Sequence, residues 1–150
     1  MSALLRLGLK LFNLRDRLLP GAELPSGAWG ERWAARYLQL HGCRILERNA
    51  RPCRRGEVDL IAQKGKVYLF VEVKTRKNER FGPPITAIHT KKRQLLRRSA
   101  THWLAQRRLL NDYTLYRFDG VEVIGTPSRG IPEIRWVQRL DMSETRAPDL

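Results

Sequence analysis

Residues 56–74 read GEVDLIAQKGKVYLFVEVK. Two apolar-rich, alternating runs, 58–63 and 66–75, meet at Lys64, Gly65 and Lys66. The stretch predicts a β-hairpin closed by a two-residue loop containing glycine. Two registers fit. A Lys64-Gly65 loop sets Asp59 opposite Phe70, and a Gly65-Lys66 loop sets it opposite Glu72. Side chains alternate between faces with period two, so both registers predict the same sides. Asp59, Glu72 and Lys74 share one face with Ile61, Tyr68 and Phe70. Val58, Leu60, Ala62, Val67, Leu69, Val71 and Val73 form the other.

A hairpin this apolar is expected to be covered on both faces, which leaves two carboxylates close together and short of water. They repel each other and are costly to desolvate, so a positive partner is expected between them. A hard divalent cation such as Mg²⁺ or Mn²⁺ takes oxygen ligands from one or two carboxylates and leaves positions for water and phosphate. Lys74, two residues past Glu72, is then placed to orient the attacking water, lower its pKa, or stabilise charge on a phosphate in transfer. The pattern reads as metal-dependent phosphodiester cleavage.

Outward from the hairpin, residues 43–49 predict a short strand beside it. Arg44, Arg48, Arg51, Arg54 and Arg55 crowd the approach to Asp59, where they would draw phosphates toward the metal. Glu57 shares the face of Asp59 in an ideal strand and is given a supporting role outside the metal shell. Residues 26–41 predict a helix stopped by Gly42, with Trp29, Trp33, Tyr37 and Leu40 as a core stripe. Glu31 falls in its first turn, where the helix dipole favours a carboxylate. Residues 76–84 form a loop in which Phe81-Gly82 is either a lid or a packed turn. Residues 90–108 predict a long helix with Leu95, Leu96, Ala100, Trp103 and Leu104 inward and a basic remainder. Within it, Lys91, Lys92 and Arg93 are assigned to phosphate contacts, as are Arg54, Arg55 and Arg76. Residues 113–124 predict a strand or strand pair in which Asp119 fixes local structure or pairs with an arginine. A last strand over 131–138 is expected to pair with 121–124.

At these residues the chain resembles two known groups. Asp59, twelve residues, then Glu72-Val73-Lys74 is similar to the PD-(D/E)xK signature of restriction-endonuclease-like nucleases, with Val58 where proline is usual. GEVDLIA, VYLFVEVKTR, the following FG and the later YRFDGVEV resemble the uncharacterised bacterial YraN-like family from about Gly30 to Val137. That family is related in pattern to archaeal Holliday junction resolvases. The resemblance implies an α/β fold with a restriction-endonuclease-like αβββαβ core, a central mixed sheet flanked by helices. It implies a metal held by Asp59, Glu72 and the Val73 carbonyl, with Lys74 assisting the water. Glu31 matches the first-helix glutamate of resolvase-like members, which reaches the metal site, often through water. Branched or structured DNA would be the substrate, which favours a two-fold homodimer placing two sites on two strands.

One hundred and fifty residues suit one domain, and 42% hydrophobic content supports a real core. The division expected is an amphipathic extension and linker over 1–25, the nuclease-like domain over 26–140 and a disordered tail over 141–150. Lys and Arg number 29 against 15 acids, a net charge of +14 that exceeds what solubility needs. Such a balance points to a polyanion, nucleic acid or an anionic membrane. Cys43 and Cys53 show no zinc spacing and read as reduced thiols of a cytoplasmic protein. Residues 1–19 are leucine-rich and basic, but Arg6 and Lys10 interrupt any spanning run. The default for them is a packed or poorly ordered extension, and membrane contact is disfavoured. The leading expectation is a Mg²⁺- or Mn²⁺-dependent DNA endonuclease. The alternative is a nucleic-acid-binding protein with a vestigial or conditional site inside a larger complex. A structural partner at the membrane is the weakest of the three.

Overall fold

The computed structural model describes residues 2–18, 26–80 and 82–143. Its elements run α1 (Ala3–Leu18), α2 (Ser26–Leu40), β1 (Arg44–Cys53), β2 (Gly56–Lys64), β3 (Val67–Arg76), α3 (Thr90–Gln106), β4 (Leu115–Ile124) and β5 (Glu133–Val137). The strands form one five-stranded sheet in the order β1-β2-β3-β4-β5. β2 runs antiparallel to its neighbours β1 and β3, β3 and β4 are parallel through the α3 crossover, and β5 returns antiparallel. This is the expected α/β fold with a mixed sheet, consistent with a restriction-endonuclease-like core. Residues 19–25, which hold most of the linker expected before α2, Phe81 and most of the predicted tail lie outside the described residues. Among the described residues, no helix is long and apolar enough to cross a membrane.

The hairpin register resolves in favour of the Gly65-Lys66 loop, since Lys64 pairs with Val67 and Leu60 with Val71. Gly65 heads that loop at φ +58, where a II′-type turn needs a residue without Cβ. The two faces bury against different helices. Leu60, Ala62, Leu69 and Val71 pack with Trp33, Ala34 and Leu38 of α2 and Leu5 and Leu9 of α1. Ile61 and Phe70 pack with Leu96, Ala100, Trp103 and Leu104 of α3. Val58 departs from the expected face and joins the α3 cluster. The β2–β3 ladder ends at Leu60 and Val71, so strict alternation stops there. Just beyond, the Val73 N–H donates to the Asp59 carboxylate.

β1 is longer than its sequence suggests and runs to Cys53. Its register shifts twice against β2, between Ile45 and Glu47 and between Ala50 and Cys53. Asn49 sits at φ +50, a conformation asparagine tolerates better than most residues. Pro52 is allowed because β1 is an edge strand. Cys43 and Cys53 are free thiols, as expected.

Gly30 brings α2 onto β3. A Cβ there would stand 1.8 Å from Thr75 Oγ1 and 3.0 Å from Thr75 Cβ. Only glycine allows this approach, and it carries Glu31 to the end of β3. Gly30→Ala is expected to lower stability by about 1–3 kcal/mol through overpacking. Thermal melts check this, and adding Thr75→Ala, which removes Oγ1, the nearest atom, should recover part of the loss.

Candidate active site

The carboxylates come together where β2 and β3 run past the N-terminal end of α3. Asp59 and Glu72 each lie one residue beyond the end of the β2–β3 ladder at Leu60 and Val71. Asp59 is half-buried and its Oδ2 accepts the Val73 N–H at 2.7 Å. Glu72 is also half-buried, and Lys92 of α3 brings its ammonium to 3.0 Å from Glu72 Oε2. That approach is an ion pair, and Lys92 is the main influence holding the Glu72 carboxyl down against burial.

The electrostatics follow from this crowding. Burial first, then the charge of Glu72, pushes the Asp59 carboxyl up to about 7, against the opposing Val73 bond and Lys92. Glu31 adds a smaller push in the same direction, so α2 reaches the site electrostatically. Burial likewise raises Glu72, with Lys92 as the main opposing influence and Glu57 adding negative charge. Burial and mutual repulsion therefore disfavour the ionised form of both groups, most of all at Asp59.

A cavity of about 200 Å³ opens beside it, lined by Glu72, Val73, Lys74 and Lys92 and by residues 83–85 and 87–89 of the loop before α3. Lys74 donates to the Pro83 carbonyl at the rim, and its charge adds a smaller downward influence on the Glu72 carboxyl. A larger cavity, about 470 Å³, lies between the β1–β2 turn and the exposed side of α3. Arg54, Arg55, Lys91 and Arg98 line it with Gln94 and Leu95, and no acid is among them.

The structure thus gathers Asp59, Glu72, Lys74 and Lys92, with Glu57 and Glu31 at the edge. It separates the predicted cations. Arg54, Arg55 and Lys91 are exposed. Arg93 donates to the Ser143 carbonyl at 2.7 Å. Arg76 departs from the expected phosphate contact: it is buried, 2.9 Å from Glu122 Oε1, and also donates to the carbonyls of Gly82 and Pro83. Asp119 is buried and structural, holding Arg117, the Trp136 indole N–H and the Arg139 N–H. Sequence reasoning gave Lys92 a phosphate and missed its glutamate. The signal was present: cations in the first turn of a helix oppose its dipole, and α3 has no acid there to offset them.

Among the described residues, no three His, Cys, Asp or Glu side chains gather closely enough to form a metal cluster by themselves. Two carboxylates suit a cation that keeps several waters, as Mg²⁺ does, and poorly suit a closed zinc site. The close approach of the two carboxyls and the raised Asp59 carboxyl fit such an ion.

Comparison with known sequences gives a consistent match. The model of a family described as "Uncharacterised protein family UPF0102" matches residues 30–123. A UPF0102 protein of Geobacter metallireducens is 41% identical over 111 residues, 74% of this chain and 87% of the relative. One from Nocardia farcinica is 48% identical over 107 residues, 71% of this chain and 82% of the relative. One from Alkaliphilus metalliredigens is 45% identical over 98 residues, 65% of this chain and 83% of the relative.

Proposed function

Because this chain belongs to the UPF0102 family, whose description assigns no reaction, we propose from the site itself that the protein is a Mg²⁺- or Mn²⁺-dependent DNA endonuclease. The observation that carries this is the half-buried, mutually repelling carboxylate pair, Asp59 and Glu72, beside an open cavity and below a cation-lined helix. Asp59, Glu72 and the Val73 carbonyl would hold the ion. Once bound, the ion would supply Lewis-acid activation of water and charge neutralisation at the phosphate.

The chain's own residues divide the remaining work. Lys74, released from the Pro83 carbonyl, orients the attacking water and offsets charge on the phosphoryl oxygens. Glu31 acts from α2 through water. Water adds to phosphorus and one bridging oxygen leaves, so a phosphate end and a hydroxyl end result. Arg54, Arg55, Lys91 and Arg98 seat neighbouring phosphates. These are contacts to the backbone and carry no sequence readout. The likeness to Holliday junction resolvases extends the proposal to branched DNA cut by a two-fold dimer. The cell compartment that fits this work, and two free thiols, is the cytoplasm.

A second reading has its own support. Lys92 already faces Glu72, and the loop carbonyl of Pro83 holds Lys74, an arrangement suited to a protein that binds nucleic acid and cuts only when assembled with others.

The deciding experiment is incision of labelled linear, flapped and four-way-junction DNA with Mg²⁺ or Mn²⁺. Cleavage by wild type is expected, with a loss of at least ~10³-fold in Asp59→Ala, on the scale of removing a group that organises the transition state, and full loss in chelator. Salt-sensitive binding without cleavage, equal in wild type and variant, would sink the catalytic reading and leave the second.

A further inference from the structure

α1 has two apolar faces, and the fold uses one of them. Leu5 and Leu9 are buried against α2, and Phe12 meets Trp33 edge-on at 5.0 Å. Gly8 lies close to Leu40, where a Cβ would come within 2.7 Å of the Leu40 side chain. On the opposite side Leu4, Leu7, Leu11 and Leu14 are 81%, 53%, 57% and 55% exposed. Their spacing of three, four and three residues keeps them in one stripe, roughly 80° wide at 100° per residue, and Leu18 continues the step in the sequence. Arg6 and Lys10, both exposed, run along one edge of the stripe, and α2 fills the other side. No acid stands between Ala3 and Leu14. The family match begins at residue 30, so α1 lies outside it.

We propose that α1 is a docking helix for a partner protein that presents an amphipathic helix with an apolar seam and an acidic flank. Width and charge decide the occupant. A stripe confined to alternating three and four steps is the narrow seam that one helix fills, whereas a helix lying in a bilayer surface presents a broad apolar face. An antiparallel second copy would lay the Arg6–Lys10 edge against itself, and a parallel copy would drive it against the side α2 already fills. An acidic flank matches Arg6 and Lys10 and leaves the leucines to supply apolar burial.

The test uses the full chain and a fluorescein-labelled 21-residue helix of three heptads, with Leu at the seam and Glu beside it. Fluorescence anisotropy should show saturable binding that weakens with salt. Leu7→Glu with Leu11→Glu should weaken it by at least ~10-fold, a change of about 1.4 kcal/mol. Arg6→Glu with Lys10→Glu should weaken it while sparing the leucines. Both variants change exposed positions, and thermal melts confirm that they keep the fold. Four results overturn the proposal. They are no binding of the acidic helix, equal binding of a Lys-flanked counterpart, sedimentation with phosphatidylglycerol vesicles that the leucine variant abolishes, and a concentration-dependent doubling of mass that it abolishes. DNA cleavage is read separately, so a failure here leaves the proposed function untouched.

Discussion

Asp59→Asn is expected to make the metal-free protein more stable at pH 8 and to leave its stability nearly unchanged near pH 4. The folded chain holds the Asp59 proton to about pH 7, whereas the ordinary carboxyl releases it near 3.8. Below the lower value both states are protonated and the group contributes nothing. Between the two values the unfolded chain has released its proton and the folded chain has not, so stability falls as pH rises. Above about 7 the folded protein carries a half-buried, ionised carboxylate beside Glu72, and the whole penalty stands. Each pKa unit corresponds to about 1.4 kcal/mol, so the penalty is on the order of a few kcal/mol. Asparagine keeps an oxygen for the Val73 N–H and removes the charge. Denaturant titrations of both proteins between pH 4 and 8 measure the difference. A variant less stable than wild type at pH 8, or parallel pH profiles, would refute the reading of Asp59 as a strained carboxylate. Adding Mg²⁺ or Mn²⁺ at pH 8 should stabilise wild type by mass action and leave Asp59→Asn unmoved.

That expectation depends on a pairing already legible in the sequence. Alternation through 58–63 and 66–75 predicts Asp59, Glu72 and Lys74 on one face, and the two carboxylates do lie close enough to repel each other, although the ladder ends at Leu60 and Val71, just short of both. The register stayed open, since periodicity is blind to which two residues make the turn; the pairing of Lys64 with Val67 settles it. The end of β1 was hidden for a different reason. Pro52 and the arginines around it read as loop, yet an edge strand tolerates them through two register shifts. The partners of cations were the least legible. Arg76 and Lys92 look alike in sequence, both basic residues near the site. One is buried against Glu122, 46 residues away, and the other faces Glu72. Long-range pairing of this kind is set by the β3–β4 register and the α3 crossover, which no local pattern encodes.

Glu122→Ala should be the most damaging single change outside the hydrophobic core, costing about 3–5 kcal/mol, because it strands a buried guanidinium. Arg76 and Glu122 side chains are 7% and 8% exposed and stand 2.9 Å apart. One oxygen, Glu122 Oε1, also accepts the Ile85 N–H at 2.9 Å. Arg76 in turn gathers the Gly82 and Pro83 carbonyls. The pair is therefore the clasp that fixes the loop before α3, and that loop supplies both the wall of the cavity beside Glu72 and the carbonyl that holds Lys74. Arg76→Met with Glu122→Leu should be much less harmful to stability than Glu122→Ala, since replacing both charges with apolar groups removes the uncompensated one. It should still free the loop, because the Ile85 N–H and the Gly82 carbonyl lose their partners and the Pro83 carbonyl keeps only Lys74. Melting temperatures separate the first effect. Hydrogen exchange at Ile85 separates the second, with faster exchange expected in both variants. If exchange at Ile85 stays slow while stability collapses, the pair supports the sheet alone. Lys74 would then be held by the rigidity of the two prolines, Pro83 and Pro84, and not by the buried ion pair.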